Sequence, residues 1–305
     1  MTKDYSKSKL PQGALLLATL IWGGSFVIMK NAVDCIPPNF LLGLRFTGAS
    51  ILLSIIFNKK LKKIDKTYLK GGFSMGTALF FAYFFQTIGL LDNTPGENAF
   101  LTAIYCVAVP FLSWFVTKKR PDVFNFTAAF VGIIGIGFVS LDSSLTIKIS
   151  DIMTLIGGFF FAVHMICTSE ATKSGDADPV LLTIIQFATA AVYAWIMSFA
   201  MGEKAVSFGM GTMLGLGYLI CFATATTLLL QSFGQKYTDP SSASLILSLE
   251  AVFGVIFSVI FYKERLNLRI VTGFALIFMA IVISETKLSF LRKRSSAKVS
   301  ETIGD

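Results

Sequence analysis

Long apolar stretches alternate with short polar connections along almost the whole chain. A helix that crosses the ~30 Å hydrocarbon core of a bilayer needs about 20 mostly apolar residues, and these stretches approach or exceed that length. The pattern predicts ten transmembrane helices, called spans 1 to 10, at residues 12–30, 38–57, 69–91, 97–117, 124–141, 151–168, 179–201, 208–233, 241–262 and 268–285.

The composition agrees with a chain surrounded by lipid. Of 305 residues, 54% are hydrophobic and only 14% are charged, whereas a soluble domain carries about 25% charged residues to face water. The same values exclude an intrinsically disordered chain. Ten spans would use about 200 residues, which leaves room for tails and short connections but not for a soluble domain. The predicted fold class is therefore an all-α integral membrane protein.

The net charge of +8 would suit a nucleic-acid partner if the protein were soluble. Sorted by span, however, the basic residues follow the bias that orients membrane helices. With a cytoplasmic N-terminus, nineteen Lys and Arg residues lie on the cytoplasmic side and six lie outside. We therefore expect both termini in the cytoplasm, a location in the cell (plasma or inner) membrane, and no nucleic-acid partner.

The two halves of the chain resemble each other. At an offset of 145, residues 70–138 align without gaps on 215–283, and Gln86 and Pro95 match Gln231 and Pro240. Each half holds five spans, and this odd number makes the second half enter the membrane from the opposite side. The pattern predicts two inverted repeats, which would permit alternating access; a simple duplication in a structural membrane protein is the alternative. The predicted division is a cytoplasmic N-tail, two five-helix repeats and a basic cytoplasmic C-tail, at 1–11, 12–145, 146–286 and 287–305.

Several segments resemble the EamA-type transporters of the drug/metabolite transporter superfamily. The resemblance covers about residues 12–286 and implies ten spans in two five-helix repeats, with export of metabolites. In span 9, relatives usually carry proline after the glutamate, whereas this chain has Ala251. The resemblance rests on the order and spacing of 20–26, Arg45, Gln86, 98–102, 109–110, 161–164, Gln231, 247–250 and 264–266.

Three side chains that can carry a charge, Arg45, Glu250 and His164, lie well inside spans rather than at their ends. A charge at the centre of a span costs ~2.5–3.5 kcal/mol on insertion scales. Arg45 in span 2 is a candidate contact for an anionic substrate group, or an anchor bonded to neighbouring backbone carbonyls. Glu250 in span 9 is a candidate proton carrier, because its protonated form costs far less to bury. It could also bind a cationic substrate group or another helix. His164, the single histidine, titrates near neutrality but also suits helix packing.

Neutral polar side chains mark helix faces that cannot point at lipid. Gln86 and Gln231 occupy equivalent positions in the two halves, which indicates a shared interior surface, although glutamines also join helices to each other. Residues three or four apart lie on one helix face, and spans 1, 4 and 9 each show a polar face of this kind. Together with His164 in span 6, these faces form the predicted wall of a substrate cavity: Trp22, Ser25 and Met29; Asn98, Thr102 and Tyr105; and Ser244 and Ser248.

The sequence favours a secondary transporter that moves a small metabolite or amphiphilic compound, amino-acid-like or drug-like, by alternating access, with export as the expected direction. A gated channel or an intramembrane enzyme is the alternative. A channel is expected to show rings of like charge and an enzyme a nucleophile–base pair or metal cluster, and the sequence shows neither. No cofactor or metal is expected. The expected partners are a small-molecule substrate, the lipid bilayer and, through Glu250, protons.

Overall fold

The computed structural model of the protein describes residues 9–118, 120–140, 147–173, 177–204 and 207–286. These residues form thirteen α-helices and two π-helical segments, Cys221–Thr226 and Ser258–Tyr262. In chain order the helices are α1 (Leu10–Val33), α2 (Pro38–Ile56), α3 (Asn58–Leu61), α4 (Lys66–Leu90), α5 (Pro95–Thr102), α6 (Tyr105–Thr117), α7 (Val123–Ser140), α8 (Ile149–Thr172), α9 (Pro179–Ala200), α10 (Met210–Ile220), α11 (Thr227–Tyr237), α12 (Pro240–Phe257) and α13 (Leu268–Thr286).

Within these described ranges, nine helical stretches are long and apolar enough to cross a membrane. Three of them join consecutive segments: α5 with α6 over Pro95–Thr117, α10 with α11 over Met210–Tyr237, and α12 with the second π-helical segment over Pro240–Tyr262. The other six are α1, α2, α4, α7, α8 and α9, while the apolar part of α13, Leu268–Ser284, is shorter. For the described residues, the prediction of an all-helical membrane protein is confirmed.

Capping side chains explain where several helices begin. At the start of α5, the Thr94 hydroxyl accepts the backbone N–H of Glu97, and the Glu97 carboxylate accepts the backbone N–H of Thr94. The carboxylates of Asp178 and Asp239 accept backbone N–H groups in the first turns of α9 and α12. Each of these three helices opens with proline, whose missing N–H costs nothing at that position. The polar residues before these three helices therefore mark helix starts.

The outer surface of the bundle carries large apolar side chains. Phe199 is 91% exposed and Leu268 is 83% exposed. In water such a surface would be unfavourable, because apolar area is driven out of contact with the solvent. Exposed apolar side chains of this size suit contact with acyl chains.

The interior is built from helices of both halves. Helix α4 packs against α8 and α9, α1 packs against α11 and α12, α2 packs against α9, and α7 packs against α13. Gly72 and Gly76 allow α4 to approach α9, since a Cβ atom at Gly76 would lie 2.5 Å from the backbone oxygen of Gln186. Small residues are the usual means of bringing helices together in lipid.

Three spans are not continuous α-helices: span 9 ends in the π-helical segment Ser258–Tyr262, and two other spans are irregular within their length. Span 4 is interrupted between α5 and α6, and span 8 passes through the π-helical segment between α10 and α11. A π-helical turn changes the partners of backbone carbonyls, and the oxygen of Ala223 accepts hydrogen bonds from Trp22 and Thr227. Both irregular segments adjoin the interior, because Tyr105 follows the first and Thr224 in the second is buried.

Candidate functional site

A cavity lies in the centre of the bundle, between α1, α2, α4, α6, α8, α11 and α12. The centre of a water molecule can move through about 40 Å³ of this cavity. Because one buried water needs roughly 10–15 Å³ by this measure, only a few waters or a small solute fit in this conformation. The lining combines charged, amide, aromatic and apolar side chains: Trp22, Ser25, Phe26, Met29, Arg45, Tyr83, Gln86, Leu90, Tyr105, Phe161, Met165, Gln231, Leu247 and Glu250.

Arg45 is the cationic side chain of the lining and is 2% exposed. Its Nη2 and Nε donate to the Thr224 hydroxyl at 3.0 and 3.3 Å, and its Nη1 lies 3.3 Å from Sδ of Met29. The guanidinium carbon lies 4.9 Å from the ring centre of Tyr83, which is a cation–π arrangement. No ion pair between Arg45 and a carboxylate is formed within the described residues. A buried positive charge without a counterion therefore borders the cavity.

Glu250 contributes the carboxyl group of the lining and is 6% exposed. The side chain of Tyr105 stands beside it, and both residues border the cavity. Across the part of the chain that the structure describes, Glu250 has no ion-pair partner. The lining thus presents a guanidinium and a carboxyl group to one small space without pairing them with each other.

Two amide side chains complete the polar lining. Gln86 on α4 and Gln231 on α11 both border the cavity. The Nε2 of Gln86 donates to the Thr102 hydroxyl at 3.1 Å, and Nδ2 of Asn98 donates to the Gln86 backbone oxygen at 3.2 Å. Thr102 and Asn98 do not border the cavity, but their hydrogen bonds hold Gln86 in place.

Helix α1 supplies three predicted residues to one wall. The Nε1 of Trp22 donates to the backbone oxygen of Ala223 at 2.9 Å, which fixes the indole against the π-helical segment. The hydroxyl of Ser25 donates to the Trp22 oxygen at 2.8 Å. Met29 contacts Arg45 through its sulfur. These three residues are three and four positions apart in the sequence, and this spacing places all of them on the side of α1 that borders the cavity.

Three other predicted residues lie outside the cavity lining. Nε2 of His164 lies 2.8 Å from Oε1 of Gln186, between α8 and α9. The hydroxyls of Ser244 and Ser248 each donate to a carbonyl three residues earlier in α12, at 2.7 Å. Among the described residues, no three His, Cys, Asp or Glu side chains form a group that could hold a metal ion.

Sequence reasoning selected Trp22 and Tyr105 but missed the other aromatic residues of the lining. Tyr83 and Phe161 meet edge to face with ring centres 5.1 Å apart, and Phe26 also borders the cavity. With 30 phenylalanines in the chain, residue type alone cannot separate a cavity wall from a lipid-facing surface. The repeat does hold one unused signal, since the offset of 145 relates Tyr105 to Glu250.

Comparison with known proteins identifies the relatives of this chain. The EamA-like transporter family matches it twice, over residues 12–141 and 148–286. An uncharacterized transporter of Archaeoglobus fulgidus is 34% identical over 275 residues, which cover 88% of this chain and 83% of that protein. The uncharacterized transporter YoaV of Bacillus subtilis is 24% identical over 277 residues, which cover 88% of this chain and 94% of that protein.

The fold is also found among solved structures. One crystal structure of a protein with 14% sequence identity superposes with a TM-score of 0.66 and covers 89% of this chain and 97% of that chain. At this identity the likeness concerns the fold alone. The two family matches and the sequence relatives show that the chain belongs to the EamA-like transporter family and is a multi-pass membrane transporter, not an enzyme.

Proposed function

We propose that the protein is a secondary transporter that moves a small metabolite or amphiphilic compound, amino-acid-like or drug-like, by alternating access. The observation that carries this proposal is the central cavity, whose lining comes from both halves of the chain and includes Arg45 and Glu250. Ionisable residues at membrane depth mark substrate and ion pathways. A site between two halves is where a carrier built from repeats binds its substrate.

We further propose that α13 completes ten spans, arranged as two inverted five-helix repeats divided near residue 145. The contacts support a two-fold relation, because counterparts in the two halves meet: α2 meets α9, α7 meets α13, and α5 meets α12. The offset of 145 pairs Gln86 with Gln231 and Tyr105 with Glu250, and all four side chains border the cavity. Rocking of one repeat against the other would expose this site to one side of the membrane at a time.

The lining supports a substrate with an anionic group and an apolar portion. Arg45 offers a guanidinium that pairs with no carboxylate of the described residues, and guanidinium groups bind carboxylates and phosphates well. Trp22, Tyr83 and Phe161 offer aromatic surface for the apolar portion. Since only a few waters fit in the cavity, the helices that line it must move apart to admit a substrate of this size.

Protons are the proposed coupling partner at Glu250. A carboxyl group that lacks an ion pair in the membrane interior can carry a proton between the two sides, because its neutral form is cheap to bury. Glu250→Gln keeps the shape of the side chain and removes the ionisable group. We expect transport by this variant to lose its pH dependence in proteoliposomes. An unchanged pH profile would reject the proton-carrier role.

Export from the cytoplasm is the proposed direction, with both tails, 1–11 and 287–305, in the cytoplasm of the cell. The excess of Lys and Arg on that side supports the orientation. A protease-cleavable tag at the C-terminus tests it in sealed vesicles. The tag should be cut in inverted vesicles and protected in right-side-out vesicles; the opposite result would reverse the orientation.

A metabolite screen followed by flux measurements tests the transport function. Thermal shift of the purified protein identifies compounds that bind, and proteoliposomes then report their movement. Ser25→Trp should fill the cavity and abolish both binding and flux. Ser74→Trp is the matched control, since Ser74 also donates to a carbonyl three residues earlier but is exposed on α4. Equal loss of flux in both variants would argue against the cavity as the substrate site.

A further inference from the structure

A second buried polar cluster lies outside the cavity, where the ends of α4 and α7 meet the starts of α5 and α8. Its side chains are at most 5% exposed. Each carries a buried oxygen atom for which the described residues provide no hydrogen-bond partner: Oδ1 of Asn93, Oδ1 of Asn98, Oγ of Ser140, Oγ of Ser150 and Oδ1 of Asp151. We call this group the junction cluster.

Hydrogen bonds tie the members of the junction cluster to one another through their nitrogen atoms. Nδ2 of Asn93 and Nδ2 of Asn98 both donate to the Thr154 hydroxyl, at 3.2 and 2.9 Å. The Thr154 hydroxyl in turn donates to the backbone oxygen of Ser150 at 2.9 Å. Asp151 faces the side chains of Asn93 and Ser140. The amide donors are thus used within the cluster, and the amide oxygens remain without donors.

Such an arrangement is costly unless something satisfies the oxygen atoms. A buried polar atom without a partner has lost its hydrogen bonds to water and gained none in exchange, and the penalty is larger for a charged group. Lys148 lies near Asp151, but its side chain is 51% exposed and its Nζ is 3.9 Å from the Glu97 carboxylate. It therefore neutralises Asp151 only in part and reaches none of the other unpartnered oxygens within hydrogen-bond distance.

We propose that the junction cluster binds a monovalent hard cation, for which sodium is the probe. Hard cations take carboxylate, amide and hydroxyl oxygens as ligands, and the cluster offers all three types. Its unpartnered oxygens include one carboxylate oxygen, from Asp151, and the others are neutral. The nearby Glu97 carboxylate is paired with Lys148 at 3.9 Å. A single negative charge matches a monovalent ion, whereas calcium sites generally use several carboxylates.

The junction cluster is connected to the central cavity through Asn98. The Nδ2 group of Asn98 that bonds Thr154 also donates to the backbone oxygen of Gln86, whose side chain borders the cavity. A cation held by the cluster would fix the corner between α4 and α5 against α8. Cation binding would thereby favour one arrangement of the cavity wall, and this coupling role rests on the proposed transport function.

Binding is tested without any transport substrate. The purified protein is titrated with NaCl, with choline chloride holding the ionic strength constant, while thermal stability and binding of radioactive sodium are measured. We expect a saturable rise in melting temperature with sodium and none with choline. Asp151→Asn should weaken the apparent sodium affinity at least tenfold, and Asn93→Ala provides a second variant if the first folds poorly.

Asp92→Asn is the matched control, because Asp92 is an exposed aspartate beside the cluster. It should bind sodium as the unmodified protein does. Absence of sodium-specific stabilisation and of sodium binding in the unmodified protein would overturn the proposal, and so would unchanged binding in both cluster variants. Sodium binding in a protein that transports no compound in proteoliposomes would support the cation site and count against the proposed transport function.

Discussion

The substitution Arg45→Met distinguishes two roles for Arg45, that of a helix anchor and that of a substrate contact. The charge-assisted hydrogen bonds to Thr224 contribute about 1.5–3 kcal/mol, and the desolvated contact with Tyr83 contributes roughly 2 kcal/mol. Against this, a guanidinium in a span costs ~2.5–3.5 kcal/mol on insertion scales. The opposing contributions nearly cancel. Arg45→Met should therefore change the free energy of unfolding by less than about 3 kcal/mol while abolishing substrate binding.

The assay measures thermal or denaturant unfolding in detergent, and substrate binding and flux on the same preparations. Arg45→Lys retains the charge but loses the fork that reaches Thr224 and Met29, so partial binding is expected. Gln186→Met is a matched control for the loss of a buried polar group outside the cavity. The reasoning is refuted if Arg45→Met unfolds far more easily and its remaining folded fraction still binds and transports normally. Arg45 would then be a helix anchor.

Two further substitutions test the packing around the site. Gly76→Ala should destabilise the protein by about 1–3 kcal/mol, because the new Cβ would lie 2.5 Å from the Gln186 backbone oxygen. Gly217→Ala is the control and should be neutral or stabilising, because a Cβ at Gly217 would meet no other atom of the described residues within 4 Å. Similar melting temperatures for both alanine variants would contradict the close approach of α4 and α9. Trp22→Phe should cost only about 1 kcal/mol in denaturant unfolding, because another donor also satisfies the Ala223 oxygen; a loss above about 3 kcal/mol would count against this.

The positions of the helices follow closely from the apolar pattern. Span 1 was predicted at 12–30 and the helix runs from Leu10 to Val33. The pattern works because a backbone in lipid must satisfy its own hydrogen bonds, so any long apolar stretch becomes a helix. The break between α5 and α6 and the π-helical segment at Cys221–Thr226 were not predicted. Both lie within apolar stretches, and hydropathy does not record the local geometry of the backbone.

The side chains of the cavity were harder to predict than the helices. Arg45, Glu250 and Gln86 could be selected because each is costly in lipid and must therefore face protein or water. The same cost applies to His164, yet its imidazole pairs with Gln186 between two helices. A polar side chain in a span thus indicates an interior position but does not distinguish a cavity wall from a helix–helix contact. Aromatic residues carry no such signal, since lipid and protein interiors both accept them.

Counterflow in proteoliposomes tests the central claim, a carrier that exposes one site alternately, most directly. Efflux of a labelled compound found by thermal shift is measured with and without unlabelled compound on the opposite side, with Arg45→Met as the inactive control. The account predicts efflux that saturates with concentration and accelerates several-fold when unlabelled substrate is present on the opposite side. Efflux that rises linearly with concentration and ignores the opposite side would contradict alternating access and indicate a channel.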